Sequence, residues 1–177
     1  MSELRKANTD LAYFLTFTTV GWIDVFTRKE LADILIEKLK AAQKNHHVAI
    51  YSYVIMPSHL HLIAQKKDNG LLSDWIRDFK STAAKDIMKA IRTETYESRK
   101  SWLDYLFKFF AKFSKQNAEY MFWQKTNNPI EVYSPDVFYQ KMDYIHNNPV
   151  AANFVTDPSY YYYSSANPLS PLVVDEH

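Results

Sequence analysis

The sequence predicts an α+β fold: a ferredoxin-like (split βαβ) antiparallel sheet with helices packed on one face. Three observations carry that prediction. The segments read strand, helix, strand, strand, and then helices with further strand. The strand stretches are rich in β-branched and aromatic residues, while the segments between them space apolar residues every three or four positions. With 47% hydrophobic and 23% charged residues, the 177-residue chain has enough apolar material for the core of one domain. That domain is expected over residues 1–166, followed by a flexible tail over 167–177.

Ala12 to Thr19 is a good strand, because β-branched and aromatic side chains suit a pleated surface. Thr27 and Glu30 have capping-box spacing, and Leu31, Ile34, Leu35, Leu39 and Ala42 follow on one helical face. Val48 to Met56 and His59 to Gln65 are β-rich and separated only by Pro57-Ser58, which predicts two adjacent strands. A second amphipathic helix spans about Leu72 to Ile91, with Ile76, Phe79, Ala83, Ile87 and Ala90 inward. A third spans about Arg99 to Lys115, with Trp102, Leu106, Phe109 and Phe113 as its apolar stripe. Tyr120 to Gln124 and Ile130 to Tyr133 are short strands around an Asn127-Asn128-Pro129 turn. Ser134-Pro135-Asp136 opens a last helix, which Pro149 is expected to stop. The Pro-containing end from Asn167 is expected to be loose.

Composition removes several functional classes. Two glycines leave no Gly-rich phosphate cradle. The absence of cysteine removes disulfides, thiolate metal sites and Cys nucleophiles. No apolar run approaches the ~18 residues of a membrane span, and the N-terminus lacks a signal-peptide core, so a cytoplasmic protein is expected. The net charge of +1 is unevenly spread: Ile76 to Lys115 holds ten Lys or Arg against five Asp or Glu, hence +5. A basic segment in a neutral chain suits a polyanion-binding face, but on charge alone a solvated helical surface is the favoured reading.

Two constellations can carry chemistry. In His59-Leu60-His61 the imidazoles lie at i and i+2 of a strand, so both face one side, where a metal or an acid could offset their burial. Taken alone, H-x-H is weak evidence, and a hydrogen-bonded or solvent-facing pair is the favoured reading over a metal site. On the last helix Phe138, Met142 and Ile145 form an apolar stripe, and Lys141, Tyr144 and Asn148 form a second one displaced by about 100°. Its plain reading is a wet tyrosine at the core margin.

The segment Tyr53-Val54-Ile55-Met56-Pro57-Ser58-His59-Leu60-His61-Leu62-Ile63 resembles the YVxMPNHxHxL signature of single-tyrosine HUH transposases, and more narrowly of the IS200-like, REP-associated tyrosine transposases. The resemblance continues through Phe79-Lys80-Ser81 and Phe122-Trp123-Gln124 to Tyr144-Ile145-His146-Asn147-Asn148-Pro149-Val150 and Tyr163-Ser164-Ser165-Ala166. These blocks stand in family order from about Ala12 to Ala166. The chain departs from the family at Ser58, where Asn is usual, at Lys125 to Glu131, which lacks an Arg-rich run, and at Ala151-Ala152-Asn153, which replaces Lys-Ala-Gly.

The resemblance implies a central-strand HxH that binds Mg²⁺ or Mn²⁺ through His59, His61 and Asn148, with Tyr144 as nucleophile and Lys141 as one candidate to assist its deprotonation. It implies a metal-dependent strand transferase or nickase that forms a 5′-phosphotyrosine on hairpin-containing single-stranded DNA. Lys80, Lys85, Lys89, Arg92, Lys108, Lys112 and Lys141 are the candidate DNA contacts, with Trp123 either a stacking platform or a core residue. His146, about 200° round the helix from Tyr144, either supports the site from behind or is structural, and Tyr160 to Tyr163 are weaker nucleophile candidates. Two other readings stand beside this one. One is a catalytically silent, domesticated hairpin-DNA-binding protein. The other is a zinc hydrolase, disfavoured because no acid lies at ligand spacing from the HxH. Monomer and homodimer are both open.

Overall fold

The computed structural model describes residues 11–113, 119–126 and 129–177. Four strands form one antiparallel sheet: β1 (Ala12–Thr18), β2 (Val48–Met56), β3 (His59–Lys66) and β4 (Ile130–Val132). Their order is β2-β3-β1-β4. The helices are α1 (Lys29–His46), α2 (Leu72–Thr93), α3 (Lys100–Ala111) and α4 (Pro135–Ala151). β3 lies between β2 and β1 and is antiparallel to both, which is the split βαβ arrangement.

Strand alternation sorts the side chains into two layers. Tyr13, Leu15 and Phe17 of β1 and Leu60, Leu62 and Ala64 of β3 join the larger core beneath α1, α2 and α3. Ala12, Phe14, Val54, Met56 and Ile63 face the opposite way, onto Phe138 and Ile145 of α4. The helices therefore cover both faces, not one face as the element order suggests, because the second face is apolar enough to bury a helix of its own.

Local details depart from expectation where caps and packing compete. Thr27 does not cap α1; Arg28 is the N-cap and makes no side-chain capping bond. Ser134 does cap α4, accepting from the Val137 N–H with Pro135 in the first turn. Pro149 lies inside the last turn of α4 and does not stop it. The helix ends at Ala151 with Ala152 as its C-cap, and Asn153 just beyond has a φ of +59°, the left-handed termination that Asn tolerates in place of the family's Gly. α3 is rotated from the expected stripe: Leu103, Phe107 and Ala111 are buried, while Trp102, Phe109 and Phe113 are exposed. Phe107 is drawn inward by Phe122, 4.9 Å between ring centroids. Tyr120 to Gln124 forms no full strand, only a bridge from Trp123 to Thr19. The expected Asn127-Asn128 turn and Lys115 lie outside the described residues.

Residues 167–177 are not a loose tail in the structure. Leu172 is buried, the Tyr53 and Ser170 hydroxyls meet at 2.6 Å, and Ile50 and Asp175 exchange hydrogen bonds with each other. Among the described residues no helix is long and apolar enough to cross a membrane.

Candidate active site

β3 is flanked on both sides, so His59 and His61 occupy the middle of the sheet on the α4 face. The register sets Thr16 opposite His61 and Thr18 opposite His59. Thr16 Oγ1 lies 2.9 Å from His61 Nδ1, and Ser58 Oγ lies 3.2 Å from His59 Nδ1. The two imidazoles are 4.7 Å apart between centroids. Phe14, two positions before Thr16 on the same face, stacks on His61 at 5.4 Å.

α4 crosses this face and brings Tyr144 to the pair, with its ring 5.3 Å from His61 and 5.8 Å from Phe14. Ile145, fully buried, holds that part of α4 against the sheet. Asn148, one turn after Tyr144, hydrogen-bonds His59 through its side chain. Lys141, one turn before, places its ammonium 5.3 Å from the centre of the Phe14 ring. His146 does not enter the site. Its Nε2 meets Ser165 Oγ at 2.9 Å and Ser52 Oγ at 3.2 Å, which fixes α4 to β2 and to the C-terminal segment. A cleft of about 420 Å³ collects Thr16, Thr18, Trp22, His59, His61, Gln124, Thr126, Tyr144 and Asn148.

Burial sets the protonation of the pair. It pushes His61 down to about 3, with His59 adding to the effect. It lowers His59 too, against an opposing Asn148 hydrogen bond and the Asp24 charge. Both rings are therefore neutral near pH 7, the form that donates a lone pair to a metal. A Thr16 hydroxyl accepting from His61 Nδ1–H leaves Nε2 bare, which is how metal-binding histidines are commonly oriented. Two imidazoles and an amide thus fit a divalent cation. Among the described residues no cluster of three His, Cys, Asp or Glu offers a metal site, since the third donor here is an amide.

A family model for IS200-like transposases matches residues 7–115, well over half of the chain. The chain belongs to the IS200-like transposase family. A transposase-like role follows from that membership. The matched span holds His59 and His61 but ends before Tyr144 and Asn148, so those two rest on the geometry of α4. Among solved structures, the chain is similar to a REP-associated tyrosine transposase bound to a REP hairpin, at 16% identity and a TM-score of 0.61, covering 88% of this chain and 76% of that one. That likeness shows the fold. A protein from Deinococcus radiodurans assigned as a transposase is 17% identical with a TM-score of 0.46, covering 77% of this chain and 89% of that one. No curated protein sequence matches.

The candidate DNA contacts of this transposase-family chain are not all in one place. Lys141 adjoins the cleft. Lys80 is half-buried, donates to the Gln124 carbonyl at 2.7 Å and is pushed down to about 8 by burial. Lys85 and Lys89 are exposed on α2, in the other layer. Arg92 is engaged by Asp104 and Glu119 at 2.6 and 2.7 Å, and Lys108 by Asp104 at 2.7 Å. Lys112 is exposed just after α3. Trp123 is buried and donates its indole N–H to the Lys80 carbonyl. None of Tyr160 to Tyr163 lines the cleft: Tyr161 donates to the Ile55 carbonyl and Tyr163 to Asp33.

Thr16, Phe14 and Trp22 were not legible as site residues from motifs. Alternation along β1 could have found the first two, because Phe14, Thr16 and Thr18 share the face that pairs with the HxH. Trp22 has no such signal, since its placement depends on packing around Gly21.

Proposed function

We propose that this chain is a DNA strand transferase or nickase that acts on hairpin-containing single-stranded DNA through a 5′-phosphotyrosine on Tyr144. The observation that carries this reading is the convergence of Tyr144, His61, His59 and Asn148 of one chain in one cleft. His59, His61 and Asn148 would hold Mg²⁺ or Mn²⁺, which when bound supplies positive charge at a phosphate oxygen and so favours the crowded, more negative transition state. The neutral ligand set leaves that charge undiminished.

The rest falls to the chain. Tyr144 is half exposed, so its hydroxyl is open to a phosphodiester entering the cleft. Its oxygen attacks phosphorus in line, the P–O bond to the upstream 3′ oxygen breaks, and that oxygen leaves and takes up a proton. The phosphate stays bonded to Tyr144, so the strand can be rejoined by the reverse step. Phenols ionise near pH ~10, so the attacking oxygen needs help to shed its proton. Lys141, one turn away, provides positive charge on the same side of α4. Hairpin DNA as substrate is supported by the REP-hairpin complex of the structurally similar transposase. Lys80, Lys85, Lys89, Arg92, Lys108, Lys112 and Lys141 would contribute phosphate contacts, with Arg92 and Lys108 weakened in that role by their acidic partners.

The test uses 3′-labelled single-stranded hairpins from DNA flanking the gene, incubated with protein and Mn²⁺. Label should migrate with the protein on a denaturing gel and vanish with chelator. Tyr144→Phe should abolish the adduct while hairpin binding persists. An adduct that survives in Tyr144→Phe would sink the assignment. Binding without any adduct would favour the silent hairpin binder.

A further inference from the structure

β1 leaves the sheet at Thr18 and turns through Val20–Trp22, a single 3-10 turn at the edge of the cleft. Gly21 and Trp22 are both left-handed there, at φ +62° and +56°. Glycine takes that conformation freely, whereas a bulky aromatic residue does so only under strain. The turn is held by its surroundings. The Val20 N–H donates to the Phe122 carbonyl at 2.8 Å, and Phe110 of α3 lies so close beneath Gly21 that an added Cβ would sit 2.6 Å from its ring. The result is an indole 60% exposed at the cleft mouth, edge-on to His59 at 5.5 Å.

The aromatic surface does not end at Trp22. From Phe110, beneath the turn, ring contacts lead outward to Phe109 at 5.7 Å, and from Phe109 to Phe113 at 5.1 Å and Tyr105 at 6.2 Å. Tyr105 and Phe113 are 60% and 73% exposed. Lys108 and Lys112 stand among these rings, both exposed. The acid of this part of α3, Asp104, is turned toward Arg92 and Lys108. Apolar rings interleaved with lysines are a poor surface for water and a poor match for a neutral apolar partner. They suit an unpaired nucleic acid strand, whose bases stack on rings and whose phosphates meet ammonium groups.

Building on the strand-transferase reading, we propose that single-stranded DNA leaving the cleft stacks on Trp22 and runs along the outward face of α3, over Tyr105, Phe109 and Phe113, with Lys108 and Lys112 on its phosphates. The left-handed turn at Gly21 and Trp22 serves this path. Packing against Phe110 fixes the first platform beside the His pair and joins it to the α3 ridge. The track reads no particular sequence, because every base has a face to stack.

The test measures fluorescence anisotropy of labelled oligothymidylates of 4, 8 and 12 nucleotides on metal-free protein, separately from adduct formation. Wild type should bind more tightly as length increases. The Tyr105→Ala/Phe113→Ala double variant, which removes only exposed rings, should lose that increase and bind the 12-mer at least about fivefold more weakly, the low end for a lost stacking platform. Trp22→Ala should weaken all three lengths, and Phe113→Trp, which keeps a ring at that position, should keep the wild-type length dependence. Lys112→Ala should reduce the slope of log affinity against log salt by about 0.7. Equal affinity of wild type and the double variant, or no oligothymidylate binding by wild type, overturns the track. So does a wild-type dimer that the double variant converts to monomer with oligonucleotide binding unchanged, since α3 would then be a contact between copies. An adduct that forms normally while the track fails leaves the strand-transferase reading intact. Oligothymidylate binding with no adduct on any hairpin would refute that reading instead.

Discussion

His61 answers two opposing demands. Its burial disfavours the charged ring, yet an unpartnered imidazole in an apolar sheet would leave both nitrogens unsatisfied. Thr16, set opposite by the β1–β3 register, meets Nδ1, and Phe14 covers the ring face. What remains for Nε2 is the cleft. The HxH was readable because a strand repeats every two residues, whereas Thr16 belongs to a distant segment and becomes its partner only through register. Thr16→Val keeps the shape and removes the hydroxyl, so it isolates this contact. We expect Mn²⁺ affinity, measured calorimetrically, to fall about 10- to 100-fold, the usual cost of losing an orienting partner of a ligand. Undiminished affinity would mean that His61 is oriented by its packing alone.

At the scale of elements, β2 explains both what sequence reading captured and what it missed. Its bounds were clear from nine consecutive residues suited to a strand, but its register was not. Ile50 pairs with Ala64 and Ser52 with Ile63, so Tyr51 is an extra residue. This bulge sets Ser52 on the same side as Tyr51, where it reaches His146 of α4. No local pattern announces a bulge, and none announces that the last residues would cover the β2 edge. Yet Ile55 donates to the Tyr163 carbonyl, Ser165 to the Tyr53 carbonyl and Asp175 to the Ile50 carbonyl, which closes an edge that would otherwise invite pairing. Two phenols reinforce this seam: Tyr53 meets Ser170, and Tyr161 donates to the Ile55 carbonyl. Burial pushes both up to about 12. An unfolded tyrosine ionises near pH ~10, so the unfolded chain sheds these protons before the folded one. Their contribution to stability should thus be level below about pH 10 and fall as pH rises toward 12, by roughly 1.4 kcal/mol per pH unit for each phenol. Urea midpoints at pH 9, 10 and 11 should diverge above pH 10 between wild type and Tyr53→Phe/Tyr161→Phe, with wild type losing stability faster, while Tyr163, also pushed up by burial, keeps some alkaline loss in both. A double variant as steep as wild type would place the alkaline weakness elsewhere.

For the whole molecule, the two-layer division determines where chemistry can occur. The α1–α2–α3 layer buries the larger core against a strand face of apolar and aromatic residues, whereas His59, His61, Thr16 and Tyr144 gather on the α4 face. There α4 is held by Phe138 and Ile145 beneath and by His146 at its side, and it delivers Tyr144 to His61 within the same chain. The sequence left monomer and homodimer open, and spacing along a chain says nothing of which copy supplies the tyrosine. The 5.3 Å between the Tyr144 and His61 rings favours a site complete in one chain. Mixing experiments decide the matter without knowledge of the oligomeric state. Tyr144→Phe lacks the proposed nucleophile and keeps the His pair, whereas His61→Ala keeps that tyrosine and lacks a proposed metal donor. If each chain builds its own site, an equimolar mixture should form no more DNA adduct than either variant alone, even after co-refolding. If α4 were exchanged between copies, co-refolding should produce mixed dimers holding one intact site, and labelled adduct should reappear on the His61→Ala chain. That chain can be told apart on the gel by a size tag, so recovered label on it would show that the cleft is assembled from two copies.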